Sequence, residues 1–313
     1  MSTVTVSEAV ALLNREEVVA IPTETVYGLA GRIDSDRALE RIFTVKERPF
    51  FDPLIVHVHD VSQVDDLCSE WPAVFAELAR AFWPGPLTLV APKKPAVSPL
   101  ITSGLQTVAV RCPRHPVARE VLLKTGVPLA APSANRFGKT SPTLASARRI
   151  RIRGTRGRRH GGPCEVGVES TVVDLEGETL RILRPGGVSR AEIEKLVSPR
   201  RVIRAHSSAS PGHLKAHYQP EAPLVITDTN AREGLKERIE AALGRALTEI
   251  NFINLSMAPE FAARKLYEEF RRLSADTKSA IVAERDPSHA EPAWEAVWDR
   301  IERAAALDLR NLK

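Results

Sequence analysis

Apolar and polar positions along the 313-residue chain fall into short runs that switch between a period of two and a helical period. Val6 to Arg15 reads as a short helix, and Val18-Val19-Ala20-Ile21 as a buried strand that stops at Pro22. Leu39, Ile42, Phe43 and Lys46 recur at helical spacing, so a helix is predicted over Ala38 to Lys46. Leu54 to Val58 is a compact strand, and Trp71 to Phe82 a helix halted by Trp83-Pro84-Gly85-Pro86. Further strands are predicted at Leu87 to Val90, Val108 to Arg111, Val127 to Ala131, Ser170 to Leu175 and Leu180 to Leu183. Helices interleaved with strands predict a mixed α/β domain over residues 1–205.

Ser207 to Pro223 has no apolar period and is rich in Ser, Pro and Gly, so residues 206–223 read as a linker. A second unit is expected over 224–313. It has strands at Leu224 to Ile226, Phe252 to Leu255 and Ala280 to Val282, and helices at Arg232 to Leu247, Glu260 to Leu273 and Pro292 to Ala306. This alternation predicts a small three-layer α/β domain. Two domains also suit the length, at roughly 100–200 residues each.

Composition narrows the class. With 43% hydrophobic and 27% charged residues, the chain is an ordinary globular protein rather than a disordered one. No apolar run of about 18 residues is present, and the N-terminus lacks a basic start, so neither a membrane span nor a signal peptide is expected. Cys68, Cys112 and Cys164 stand far apart, which argues against a zinc site or a disulfide framework and fits a reducing cytoplasm. The net charge of +5 hides an asymmetry: residues 101–159 hold 13 Lys or Arg against one acid, Glu120. Such a segment is either a solvated basic face or a surface for a phosphate-rich partner.

Nucleotide signatures of the usual kinds fail. No Gly-x-Gly-x-x-Gly opens a helix after a strand, and Gly138-Lys139-Thr140 imitates a P-loop end with Ser133 where its first glycine is needed. What remains is a set of polar residues in loops at strand ends. Pro22 to Gly28 offers hydroxyls and backbone N–H groups, for a turn or for a small polar ligand. Lys46 and Arg48 close a helix and are expected to face solvent there, complementing the helix dipole or neutralising a polyphosphate. Ser133 and Asn135 follow a buried strand, where an Asx-type turn is equally compatible. Arg111 ends a strand, placed for a surface salt bridge or for clamping a carboxylate. His57 ends another, as a hydrogen-bonded core histidine does.

Taken together, these residues resemble the YrdC-like family, within it the threonylcarbamoyl-AMP synthases. The resemblance runs through Ile21 to Gly28, Lys46 to Pro49, Pro53 to His57, Trp83 to Thr88, Val110 to Pro113, Ala131 to Asn135, Gly167 to Thr171 and Ile182 to Gly186. It spans nearly all of residues 5–205, and Ser210 to Pro220 with the unit beyond it resembles the long, two-domain form. One stretch departs from the family pattern: Arg148 to Arg159 packs seven Arg into twelve residues. A local shift of reading frame and an RNA-binding loop would both produce such an island.

The resemblance implies a YrdC-like mixed twisted sheet flanked by helices. It implies an enzyme that joins L-threonine, bicarbonate and ATP into threonylcarbamoyl-adenylate, releasing pyrophosphate. The family's Lys-x-Arg and Ser-x-Asn elements correspond to Lys46, Arg48, Ser133 and Asn135. Threonine is assigned to Thr25, His57, Arg111, Ala131 and Ser170, and ATP to Arg48, Asp52, Thr107, Ser133, Ser141, Arg184 and Tyr218. Asp52 stands where the family often has Asn. Magnesium would accompany the triphosphate, with no organic cofactor. The implied partners are a tRNA-modifying threonylcarbamoyl transferase and double-stranded RNA or tRNA. Residues 207–220, with His213, His217 and Tyr218, are expected to close over the site on a Pro211-Gly212 hinge. Two other readings are an RNA-binding module without catalysis and the carbamoyl-transfer enzyme of hydrogenase maturation; the latter carries zinc-finger Cys pairs absent here.

Overall fold

A computed structural model of the chain describes residues 4–144, 162–211, 217–229 and 232–311. The arginine run 148–159, and Gly212 and His213 of the expected lid, lie outside the described residues. Two compact units are present, residues 1–137 with 141–213, and 138–140 with 214–313.

The first unit opens with α1 (Val6–Leu13), started by a capping box between Thr5 and Glu8, and β1 (Val19–Ile21). β2 (Gly28–Arg32) follows, then α2 (Asp36–Lys46), capped by Ser35. Next come β3 (Ile55–His57), α3 (Val64–Leu67), α4 (Ala73–Phe82) and β4 (Leu87–Pro92). α5 (Pro99–Thr102), β5 (Thr107–Arg111), α6 (Pro116–Thr125) and β6 (Leu129–Ala130) lead to the undescribed stretch. Beyond it lie β7 (Thr171–Glu176), β8 (Thr179–Arg184), α7 (Arg190–Val197) and β9 (Val202–Arg204). Among the described residues these strands form one nine-stranded mixed sheet, ordered β1-β2-β6-β3-β5-β4-β7-β8-β9. β2 has no strand signal in its own sequence, since Gly28, Ala30 and Gly31 have poor β propensity. Tertiary pairing makes it a strand: a Cβ on Gly28 would sit 3.2 Å from that of Ala131, a crowded contact that glycine avoids.

The two faces of the sheet are covered differently. Val56, Leu89, Val108, Val110, Val173 and Ile182 belong to the main core, with Leu39, Ile42 and Phe43 of α2, Phe75 and Leu78 of α4 and Ile193 of α7. On the opposite face, α1 and α6 cover only the β1-β2-β6 end. The alternate positions of the central strands, Ile55, Val90, Ala109, Val172 and Leu183, instead make a small apolar floor, touched by Ala205 and Ala209.

In the second unit, β10 (Leu224–Asp228), α8 (Leu235–Leu243), β11 (Ile250–Phe252), α9 (Pro259–Leu273), β12 (Ala280–Arg285), α10 (Glu295–Ala304) and β13 (Ala305–Asp308) alternate along the chain. The sheet is parallel throughout, in the order β11-β12-β10-β13. Val225, Ala280 and Val282 pack on Leu235 and Ile239 of α8. Ile226, Ile281 and Ala283, on the other face, are equally buried, as both-sided cover of a parallel sheet requires. Three expected elements shift. The helix over Arg232 to Leu247 is cut to Leu235–Leu243 because Gly234 and Gly244 take left-handed φ at either end. The strand expected at Phe252 to Leu255 ends at Phe252, where Asn254 Oδ1 accepts the Ser256 N–H and forms a turn. The closing helix stops at Ala304 because Ala305 onward pairs with β10. Among the described residues no helix is long and apolar enough to cross a membrane.

Candidate active site

Sheet register assembles the site. His57 lies opposite Arg111, and Leu89 opposite Val110, so Thr88 follows one step on beside Arg111. Thr88 pairs with Val172, and Val172 with Arg184. Period-two alternation puts His57, Arg111, Thr88 and Ser170 on the face of the apolar floor, at one end of it. Thr107 shares that face from the other end, half-buried and about 13 Å from Arg111 at strand rise.

Loops then fold over this polar end. Thr23 forms a hydroxyl turn, accepting the Thr25 and Val26 N–H groups at 3.2 Å. The Tyr27 N–H donates to the Pro142 carbonyl at 2.9 Å, the Ala134 N–H to Tyr27 at 2.7 Å, and the Val166 N–H to Glu24 at 2.8 Å. Those bonds gather the loops around residues 22–27, 132–135, 141–143 and 164–170 into one wall. Gly186 packs so tightly on the Glu169–Thr171 backbone that a Cβ would come within 2.4 Å of it, which fixes Ser170 and Glu169 in place.

Arg111 is enclosed. It donates to Glu24 Oε1 at 2.6 Å, to Thr25 Oγ1 at 2.9 Å and to the Gly85 carbonyl at 3.2 Å. Burial pushes the Glu24 carboxyl up, but the charge and hydrogen bond of Arg111, with the backbone N–H of Arg114, outweigh it and hold Glu24 below the usual range. His57 is buried too. Burial and the adjacent Arg111 lower its pKa to about 3, so the ring is neutral, with Nδ1 3.3 Å from the Ile55 carbonyl.

The expectation that Lys46 and Arg48 face solvent is overturned: they are 2% and 7% exposed. Glu47 takes a left-handed conformation (φ 53°) and turns the chain back at the end of α2, while the Phe137 N–H donates to the Lys46 carbonyl. The Lys46 ammonium is thereby held against the Ser133 carbonyl, and donates to the Asn135 carbonyl at 2.6 Å. Burial, then repulsion from Arg48, depresses its pKa well below the ordinary lysine value. Arg48 donates to the Asp52 and Pro53 carbonyls at 3.0 and 2.7 Å, pairs with Asp52 Oδ2 at 2.9 Å and lies 5.9 Å from the Phe137 ring centre. Ser141 donates to Glu169 Oε1 at 2.6 Å. Ala131 is tied by its N–H to the Ile55 carbonyl at 3.1 Å.

Arg184 is buried at the same end. It donates to the Ser170 carbonyl and hydroxyl and to the Pro211 carbonyl at 3.0–3.1 Å, all neutral oxygens. Ser170 also shares a 2.8 Å hydrogen bond with Thr88. The structure therefore brings Thr25, His57, Arg111, Ser170 and Arg184 to one end of the floor, and ties Lys46 to Ser133 and Asn135 beside them. Tyr218 belongs to the second unit, buried 5.8 Å from the Tyr267 ring and 5.3 Å from the Arg300 guanidinium. Sequence reasoning assigned no role to Glu24, Thr88 or Glu169. Each sits inside a quoted motif, so the signal was an acid or hydroxyl with nothing local to pair with. Among the described residues no three His, Cys, Asp or Glu converge as a metal cage.

A family model described as "Telomere recombination", covering Sua5, YciO and YrdC, matches residues 11–186. A second, described as "Threonylcarbamoyl-AMP synthase, C-terminal domain", matches residues 188–306. The chain belongs to the Sua5/YciO/YrdC family, in its two-domain form. The threonylcarbamoyl-AMP synthase of Bacillus subtilis (strain 168) is 44% identical over 242 residues, 75% of this chain and 68% of that one. The threonylcarbamoyl-AMP synthase of Pyrococcus abyssi (strain GE5 / Orsay) is 36% identical over 297 residues, 88% and 87% of the two chains. The crystal structure of P. abyssi Sua5 complexed with L-threonine superposes with a TM-score of 0.84 at 32% identity, covering 97% of this chain and 95% of that one.

Proposed function

We propose that this chain is an L-threonylcarbamoyladenylate synthase, a nucleotidyltransferase that works in the cytoplasm on the path to threonylcarbamoyl-modified tRNA. One observation carries the anionic half of this reading. Lys46 and Arg184 are buried basic groups hydrogen-bonded only to neutral oxygens among the described residues, and burial and Arg48 depress the Lys46 pKa despite the charges of Asp52 and Glu169. Buried charge of that kind is costly unless an anion joins it. The arriving phosphates of ATP meet that need, with Arg48, Ser133, Ser141 and Asn135 beside them and Asp52 and Thr107 assigned to the rest of the bound nucleotide.

The threonine amine attacks the carbon of bicarbonate, and loss of water gives the carbamate. A carbamate oxygen then attacks the α-phosphorus in line, and the bond to pyrophosphate breaks. Positioning and charge neutralisation dominate such a transfer. Arg111 and Thr25 hold the threonine carboxylate and its neighbours, with His57, Ala131 and Ser170 lining the pocket. His57, kept neutral by burial and Arg111, adds no charge there. Magnesium fits as a phosphate-held ion: with no carboxylate cage described, Asp52 is the acid beside Arg48 that would face it, and it would neutralise the triphosphate. The labile adenylate then passes to a tRNA-modifying transferase. The three cysteines, all buried and none disulfide-bonded to another, support the cytoplasmic assignment.

The test is pyrophosphate release from ATP. It should require both L-threonine and bicarbonate, and L-serine should be about 10–200-fold poorer, as one missing methyl costs in a fitted pocket. Equal release without threonine would overturn the reading.

A further inference from the structure

The second unit has a cleft of about 660 Å³ that nothing in the reaction above uses. It lies past the carboxyl ends of β10, β11 and β12. The connection from β10 runs toward β11, and the one from β12 runs the opposite way to β13, so neighbouring β10 and β12 flank a topological switch point. In open parallel α/β sheets such crevices are where ligands bind.

Its lining states a chemistry. Phe252 forms one wall, with Leu255, Met257 and the buried Trp294 beyond. Glu284, at the end of β12, is 15% exposed at its side chain and holds the Arg232 guanidinium by two hydrogen bonds of 2.7 and 2.6 Å. That guanidinium also lies 4.6 Å over the Phe252 ring. A planar cation stacked on an aromatic ring and forked onto a carboxylate is the geometry by which a guanidinium is recognised. Arg232 itself is 64% exposed on an irregular segment before α8, so it is loosely kept in that seat. Asp286 adds a second carboxylate to the lining. Burial lowers the His289 pKa and leaves that ring uncharged, so the two acids outweigh Arg232 and disfavour phosphates.

We propose that this cleft binds a small guanidinium compound, free arginine or a close analogue, which displaces the Arg232 side chain from Glu284 and Phe252. Arg232 is then a built-in competitor rather than a ligand-binding residue. Calorimetric titration of the full-length chain with L-arginine and with agmatine should show one site outside the threonine pocket, retained when threonine is present. Arg232→Ala should bind roughly two- to fivefold tighter, because an exposed ion pair of this kind holds its seat only weakly. Glu284→Gln should weaken binding at least about tenfold, since the charged fork is lost. The gain in Arg232→Ala cannot come from misfolding. Absence of arginine binding by Arg232→Ala, equal binding of L-lysine, or binding of guanosine in place of arginine would each overturn the assignment.

Discussion

Replacing Glu24 with Gln tests whether the Glu24–Arg111 pair is the charge arrangement that a substrate carboxylate completes. The substitution keeps size and shape but removes one charge from a pair whose side chains are 1% and 4% exposed. Removing one partner of a buried pair costs about 3–5 kcal/mol, because the remaining charge has no water to turn to. The amide oxygen still accepts one bond from Arg111, which argues for the lower end, about 3 kcal/mol. In a unit of roughly 200 residues, 1 kcal/mol corresponds to about 2–4 °C, so Tm should fall by roughly 6–12 °C. L-Threonine raises Tm in both proteins; at a fixed concentration of 100 times the parent's Kd it adds about 2.7 kcal/mol of stability to the parent. In the variant its carboxylate also returns the negative charge that Arg111 has lost, so the threonine-induced rise should be larger than in the parent. The pH dependence carries the same sign. The folded pKa of Glu24 lies below its usual value, so its contribution is present above the ordinary glutamate pKa and is lost as pH falls through the folded value. The difference in Tm between parent and variant should therefore narrow on acidification. Circular-dichroism melts with and without L-threonine measure all of this. An unchanged Tm, or equal threonine-induced rises in both proteins, would refute the argument.

Lys46→Met keeps the buried stem and removes the ammonium, so turnover should fall about 100–1000-fold, as loss of one preorganised charge at a reacting phosphate does; parent-like pyrophosphate release would contradict this. Because burial and Arg48 depress the Lys46 pKa, triphosphate binding should raise it and draw in a proton. Titration calorimetry of ATP in buffers of different ionisation enthalpy reads that uptake directly, and buffer-independent heats in the parent would contradict it. His57, lowered to about 3, should show neutral ring resonances by NMR from pH about 8 to about 5, where a free histidine would titrate; a midpoint near 6.5 would mean that the ring is hydrated.

Much of this protein is legible locally. Apolar periods and proline-punctuated loops placed most strands of the first unit, with α1, α2 and α4, within a few residues, since those signals act over one or two turns of chain, whereas α6 and α7 went unassigned. The polar residues at strand ends were legible as a set for the same reason: each lies in a short motif after an apolar run. Second-unit boundaries moved where a glycine or an Asx turn ended an element that hydrophobicity alone would extend.

What the chain could not declare alone is which groups meet. Lys46 reads as a surface cation at a helix end, yet it is buried because carbonyls 87 and 89 residues away accept its protons. Glu24 reads as a polar loop residue, yet it is the counter-charge of Arg111, 87 positions on. β2 is a strand because β1 on one side and Leu129 and Ala130 of β6 on the other pair with it. Burial and charge pairing are sums over neighbours distant in sequence. Local pattern therefore determines which residue types stand at the strand ends, and only the packed sheet decides which of those charges lose their water and become chemically active.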